Sequence, residues 1–509
     1  MGSEHSTVPT RETPSPDTEG PRASIPPTDR EVESGICPKQ PSTHRIAGLA
    51  VGTMLLALAG CFSERSFPLR PGETIPLTSP TSATPGNAAA PLARQWLASA
   101  EPQLDYLLPT PHHPVMLTEQ MVTADGQPVD AYHWFNRQMV KMQQFIGNFW
   151  ALQHTAQSIE LGYAIENAPP PWPGFQDVWI PVGNGVKLHG ALGFAEQNGQ
   201  VVDADCIVIL PGLFGDNGAL RSRDVSVGLR NSGLHVLSLE PRGHGQVEAK
   251  YPNIYYTYGL METQDLMDVS EWLQDTYPHV RRTGLVGFCW GANQALLAAW
   301  YDGRKVDDAS ITPAVARLLP PPAKRTHYTA GVIAFSPVLR WEAFLDRMDT
   351  PKCIYNDLSP AMFQNSNKEH MVRKGFPEVT GSLRSCIAYD FAWSGLTRHF
   401  PLRDGYRFLR LMDYRGQSAG DKLEYARVPT LIVHAINDPL QTAQEVVDLI
   451  AVTSNPNVAA MVLPGGGHIG FQAYARRYFY SLMVDFFDPK TGAAAMSTAS
   501  ESRKDAEQR

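Results

Sequence analysis

Positive charge is scarce in this sequence: 43 Lys and Arg stand against 51 Asp and Glu, for a formal net charge of -8. With no basic excess to neutralise phosphates, nucleic acid is excluded as the main partner. Cysteine is sparse too. Cys37, Cys61, Cys206, Cys289, Cys353 and Cys386 are scattered, and no two have CxxC spacing, so there is no disulfide framework. A Cys353–Cys386 pair stays open if the chain enters an oxidising compartment. There is no Walker A loop, no HExxH and no Cys/His cluster at metal-ligand spacing. Gly465, Gly466 and Gly467 follow an apolar run but do not complete GxGxxG, which speaks against a dinucleotide site. Neither a metal nor any other cofactor is therefore expected. No interior run approaches the roughly 20 apolar residues of a transmembrane helix.

Near the front there is one short apolar run, from Ile46 to Gly60, preceded by His44 and Arg45 and ending at Cys61. It is too short to span a bilayer comfortably and reads as the core of a signal peptide. Leu58-Ala59-Gly60-Cys61 resembles a bacterial lipobox. That resemblance implies cleavage before Cys61 and a diacylglyceryl thioether on its sulfur, hence a lipid-anchored protein of the bacterial cell envelope, facing the periplasm or on the outer membrane. Residues 1–60 are thus a leader and signal peptide. Residues 61–95, rich in Pro, Ser, Thr, Gly and Ala, read as a flexible tether, since such a stretch has little apolar surface to bury.

Residues 96–172 read as an N-terminal helical extension. Trp134, Phe135, Met139, Met142, Phe145, Ile146 and Phe149 recur near helical spacing, and Pro169-Pro170-Pro171 breaks the chain after them. From about residue 173 to 488 the pattern is one of alternation. Asp177–Val182 and Val186–Leu192 flank Gly183-Asn184-Gly185 as a β-hairpin. Apolar strands follow at 206–210, 235–239, 284–288, 330–335, 430–434 and 458–463, with helical segments at 219–232, 262–276, 292–301, 442–453 and 471–486. Strands alternating with helices predict an α/β fold: a mostly parallel central sheet with helices on both faces. Residues of about 340–425 are too long for a simple connection and predict an inserted cap. Its aromatics (Phe344, Phe363, Phe391, Trp393, Phe400, Tyr406 and Phe408) line an acyl-chain pocket or form the core of the cap itself. Residues 489–509 read as a disordered tail.

The most informative segment is Gly287-Phe288-Cys289-Trp290-Gly291, set between a strand and a helix. It resembles the nucleophile elbow of α/β-hydrolases, with Cys at its centre. The flanking glycines fit a strained turn where larger side chains would collide. In that fold the acid and the histidine follow the nucleophile along the chain. Asp438 follows a late strand, and the capping box Thr442–Glu445 leaves it free of the next helix. His468 follows the last strand, in Gly467-His468-Ile469. Cys289, Asp438 and His468 are therefore the expected triad. The expected oxyanion-hole donors are the N–H of Trp290, just past the nucleophile, and that of Leu213 in Pro211–Gly215, with Phe214 as the alternative. The helix N-terminus and His468 both favour a thiolate at Cys289. His244, which follows a strand, reads as a residue of loop structure, with a place at the pocket edge as the alternative, and His112-His113 as an exposed loop between prolines.

Leu210–Gly215, Pro241–Gly245, Glu262–Asp265, Gly287–Asn293, Val428–His434 and Gly466–His468 together resemble the YheT-like α/β-hydrolases over roughly residues 175–486. The resemblance implies hydrolysis of a small-molecule acyl ester with no cofactor. The chain departs from that group in having Cys289 where Ser is usual and Ala292 where a second glycine is usual. A Gly-x-Cys-x-Gly turn is also similar to those of dienelactone hydrolases and polyhydroxyalkanoate synthases. The expected function is a membrane-tethered hydrolase of acyl esters or thioesters using a covalent acyl-enzyme. The alternatives are a Cys-dependent acyltransferase and a catalytically silent ligand-binding lipoprotein of the same fold.

Overall fold

The run Cys206–Leu210 offers no polar face to water, and a strand of that kind must be covered on both sides. In the computed structural model it lies inside a sheet. The structure describes residues 172–306, 325–341 and, with gaps, 344–487. The leader, Cys61, the tether, most of the N-terminal extension, His112-His113, Cys353 and the tail lie outside the described residues.

The strands are β1 (Phe175–Pro181), β2 (Lys187–Gly193), β3 (Glu196–Gln197), β4 (Gln200–Val201), β5 (Ala204–Leu210), β6 (His235–Glu240), β7 (Val280–Phe288), β8 (Gly331–Phe335), β9 (Thr430–Ala435) and β10 (Val458–Leu463). Eight of them form one sheet in the order β1-β2-β6-β5-β7-β8-β9-β10, while β3 and β4 make a small hairpin apart. β1 and β2 are antiparallel to their neighbours, and every pairing from β6 to β10 is parallel. β5, β8 and β9 are buried at every residue, whereas the edge strand β1 alternates. The predicted hairpin joins β1 to β2, with Asn184 in the left-handed region at φ 62.

The helices are α1 (Leu220–Asn231), α2 (Gly245–Lys250), α3 (Leu260–Thr276), α4 (Trp290–Gly303), α5 (Leu383–Trp393) and α6 (Phe471–Phe487). α1 packs with α6, and α3 with α4, against the sheet. α4 is buried at every residue. A helix apolar all round belongs inside a domain, and here α4 is covered by α3 and by the 3-10 turn Lys422–Tyr425. α2 and the β3–β4 hairpin were not anticipated, because each is too short to show a period. Between β8 and β9 the chain makes the long excursion expected from the sequence, and its described part includes helical residues 370–373 and α5.

A cluster of rings sits under the carboxyl ends of β7 and β8. Phe288 stacks on Phe335 with centroids 5.1 Å apart, and Phe335 also meets Phe479 at 5.1 Å and Phe471 at 5.5 Å. Phe335 is fully buried. Phe335→Ala is expected to destabilise the fold by about 3–5 kcal/mol, the transfer and cavity cost of deleting a core ring. Urea unfolding measures this, and a loss below about 1 kcal/mol would show that the cluster is loosely packed.

Candidate active site

β5, β7, β9 and β10 run parallel, so their carboxyl ends lie along one edge of the sheet, where open α/β folds place their sites. The expected residues leave from those ends: the loop 211–215 after β5, Cys289 after β7, Asp438 after β9 and His468 after β10.

Cys289 caps α4 in a backbone conformation at φ 52 and ψ -111. A non-glycine residue in that region is strained and persists only where the surroundings hold it. Its N–H donates to the Phe335 carbonyl at 2.9 Å, and its carbonyl accepts from Ala292 and Asn293 at 3.1 and 3.3 Å. The glycines on either side serve close approach. A Cβ on Gly287 would overlap the Gly291 carbonyl, and one on Gly291 would overlap the carbonyls of Pro211 and Leu210. The elbow and the loop after β5 are therefore in backbone contact. Asn293 locks the next strand end, donating to the Val338 carbonyl and accepting from the Val338 N–H, both at 2.6 Å.

The structure brings the three expected residues together. His468 Nδ1–H donates to Asp438 Oδ2 at 2.9 Å, and the Cys289 side chain lies close enough to the same imidazole to act on its charge. All three side chains are buried. Burial alone would lower the His468 pKa, but the neighbouring Asp438, by charge and hydrogen bond, and Cys289 lift it to about 10. For Asp438, burial favours the neutral acid, yet the His468 charge and hydrogen bond, the His434 charge and the Leu440 N–H hold the carboxyl below its ordinary value. Each partner thus favours the charged form of the other, imidazolium beside carboxylate.

Asp438 differs from expectation in one respect. It does bond backbone N–H groups as well: Oδ1 accepts from Leu440 at 2.8 Å and Gln441 at 3.1 Å. One oxygen fixes the loop and the other fixes the histidine, so the carboxylate is oriented from both sides. A further residue, His434, was not anticipated. It is buried in β9, donates from Nε2 to the Gln441 carbonyl at 3.0 Å and lies 3.8 Å from Asp438 Oδ2. The signal available was its i, i+4 spacing to Asp438, which an apolar strand run disguises.

In the loop after β5 the two candidate donors differ in their bonding. The Phe214 N–H donates to His244 Nε2 at 3.1 Å, and His244 Nδ1–H donates to the Arg242 carbonyl at 2.8 Å. Phe214 is therefore engaged, whereas the Leu213 N–H makes no bond among the described residues. Trp290 is the first residue of α4, so its N–H has no acceptor within the helix. His244 holds this loop. Burial drives its pKa down to about 4, so the ring is neutral and its Nε2 can accept. Tyr256 was also missed. It is fully buried and accepts from Gln294 at 2.5 Å, and burial raises its hydroxyl pKa well above the ordinary value.

Elsewhere, Cys386 is buried with its thiol 3.8 Å from the Asn367 carbonyl. In the insertion Phe344 is buried against Trp341, while Trp393 is 57% exposed and packs on Phe376. Phe363, Phe400, Tyr406 and Phe408 lie outside the described residues. Among the described residues, no group of three His, Cys, Asp or Glu could hold a metal ion, and no helix is long and apolar enough to cross a membrane.

Comparison with solved structures finds the Pyrococcus furiosus esterase Pf2001, 18% identical over 66% of this chain and 99% of that one, with a TM-score of 0.38. The Pyrococcus horikoshii acylaminoacyl peptidase is 14% identical over 62% of this chain and 42% of that one, with a TM-score of 0.37. A 2,6-dihydroxy-pseudo-oxynicotine hydrolase is 14% identical over 70% and 75%, with a TM-score of 0.39. No curated protein matches the chain. The model of the Alpha/beta hydrolase family matches residues 207–479, more than half of the chain, from the β5 strand to α6. With the strand order and the elbow already described, this chain belongs to the alpha/beta hydrolase family.

Proposed function

We propose that the protein hydrolyses acyl esters or thioesters through a covalent thioester on Cys289. The observation that carries this is the linked series Cys289, His468, Asp438 at the carboxyl ends of three parallel strands. The Cys289 thiolate attacks the substrate carbonyl carbon, and the negative charge that develops on oxygen is met by the N–H groups of Leu213 and Trp290. As the tetrahedral adduct collapses, the bond to the leaving group breaks, and His468 Nε2–H gives it a proton. A water then gives a proton to His468 and attacks the thioester, releasing the acid and restoring the thiolate. Asp438 keeps the imidazole in orientation and charged. A thiol is a much stronger acid than a hydroxyl, so Cys in place of Ser depends less on a base that takes its proton during attack.

The same reading makes the chain a YheT-like hydrolase with an exchanged nucleophile, held at the bacterial cell envelope by lipid on Cys61. What supports the anchor is Leu58-Ala59-Gly60-Cys61 after a short apolar run. Labelling cells with a radiolabelled fatty acid should mark the protein, and Cys61→Ala should abolish the label; lipid persisting on that variant would sink the anchor.

For the chemistry, p-nitrophenyl esters of increasing chain length are the test, with intact-protein mass spectrometry after rapid acid quenching. Turnover with an acyl adduct on the peptide bearing Cys289 is expected. No turnover of any ester or thioester would leave a silent fold. Turnover that rises only when an alcohol or thiol acceptor is added would instead make the protein an acyltransferase.

A further inference from the structure

Phe214 sits beside the proposed oxyanion donor Leu213 in a left-handed conformation, φ 61, that a bulky residue holds only under constraint. Two histidines supply the constraint. His244 accepts the Phe214 N–H, as described above. His370, from the insertion between β8 and β9, stacks on the Phe214 ring with centroids 4.4 Å apart and an interplanar angle of 26°.

His370 is itself fixed by a carboxylate. Its Nε2–H donates to Asp390 of α5, with both carboxylate oxygens at 3.2 Å, and its Nδ1 lies 3.7 Å from Glu248 of α2. Asp390 Oδ2 also accepts from the Tyr258 hydroxyl at 2.6 Å. The Tyr258 ring in turn stands edge-on to Trp290, 5.2 Å away at 81°. One carboxylate in the insertion thus reaches both halves of the proposed oxyanion hole, through His370 to Phe214 and through Tyr258 to Trp290. His370 and Asp390 are both wholly buried. A buried polar pair of this kind is seldom more stable than well-packed apolar residues of the same volume, so stability alone gives little reason for it. What the pair supplies is a defined orientation for a ring.

We infer that His370, oriented by Asp390, is a positioning residue for the hydrolytic reaction: by stacking on Phe214 it sets the oxyanion loop, so that docking of the insertion completes the oxyanion hole. The inference rests on the proposed reading in which Leu213 and Trp290 bind the developing oxyanion.

The two steps that Cys289 can undergo separate this role from general support. Attack on an ester carbonyl builds charge on oxygen and needs the hole. Alkylation by iodoacetamide forms a carbon–sulfur bond, expels iodide and builds no oxyanion. For His370→Ala, kcat on p-nitrophenyl butyrate should fall about 10- to 100-fold, the scale of a misplaced or lost donor. KM and the rate of Cys289 alkylation should change by less than about threefold. The double variant His370→Phe, Asp390→Asn keeps a ring on Phe214 without a lone buried carboxylate, and should regain kcat to within about fivefold of the parent. The inference is overturned if His370→Ala leaves kcat unchanged, if alkylation falls in parallel with turnover, or if the ring-restoring variant does no better than alanine. Absence of ester turnover in the parent protein would instead remove the proposed function, and the inference with it.

Discussion

Cys289→Ala is expected to lower ester turnover by about 10⁶-fold, the scale reached when the nucleophile of a serine protease is deleted. The physical reason is that no other group at the site can form the covalent intermediate, and the histidine then has nothing to activate but water. The side chain is small and α4 is otherwise packed throughout, so the variant should fold. Cys289→Ser is expected to retain measurable turnover well below the parent. Its hydroxyl is a much weaker acid, and must lose its proton to His468 during attack rather than before it. That demands a neutral imidazole, whereas this site is built to hold an imidazolium. In the parent protein, iodoacetamide should modify Cys289 well before Cys206, whose thiol burial pushes far up. Full esterase activity in Cys289→Ala, with Cys289 resisting alkylation in the folded protein, would remove the elbow from the mechanism.

Asp438→Asn should lower turnover by about 10⁴-fold, by analogy with the neutralised aspartate of a serine protease triad, and should also move the pH profile. His468 is lifted to about 10 chiefly by the Asp438 charge once burial is overcome. Without that charge, the imidazolium gives up its proton at lower pH, and the alkaline limb of kcat/KM should move down with it. The same pair contributes to stability in a defined window. A histidine whose pKa is raised on folding stabilises fully below its unfolded value and loses the contribution as pH rises toward about 10. A carboxyl held below its ordinary value stabilises above that value and loses the contribution as pH falls. The stability difference between parent and Asp438→Asn should therefore be largest from about pH 4 to 6.5 and shrink toward pH 10. An alkaline limb that does not move in Asp438→Asn would mean that the carboxylate does not set the charge of His468.

Much of this architecture is legible in one dimension because the signals are local. Cys206–Leu210 and Gly331–Phe335 are unbroken apolar runs, and such strands can only be central and parallel. Gly287 and Gly291 bracket Cys289 because the turn admits no Cβ at either place, so the elbow is written within five consecutive residues. Asp438 and His468 were found by their order after strands, since a parallel sheet sends every strand end to the same edge. The helix α2 was not legible, because six residues after a Pro-Arg-Gly-His-Gly loop carry no period.

The sequence by itself determined the fold class, the elbow and the chain order of the three candidate catalytic residues, since each depends on residue types a few positions apart. Tertiary structure alone decided which loop N–H is engaged. Phe214 and Leu213 are neighbours in sequence and equivalent as donors until His244, 30 residues away, takes the Phe214 N–H. It alone brought His370 onto Phe214. His244 follows another strand and His370 lies in a long insertion, and nothing in local spacing records which side chains a fold will press together.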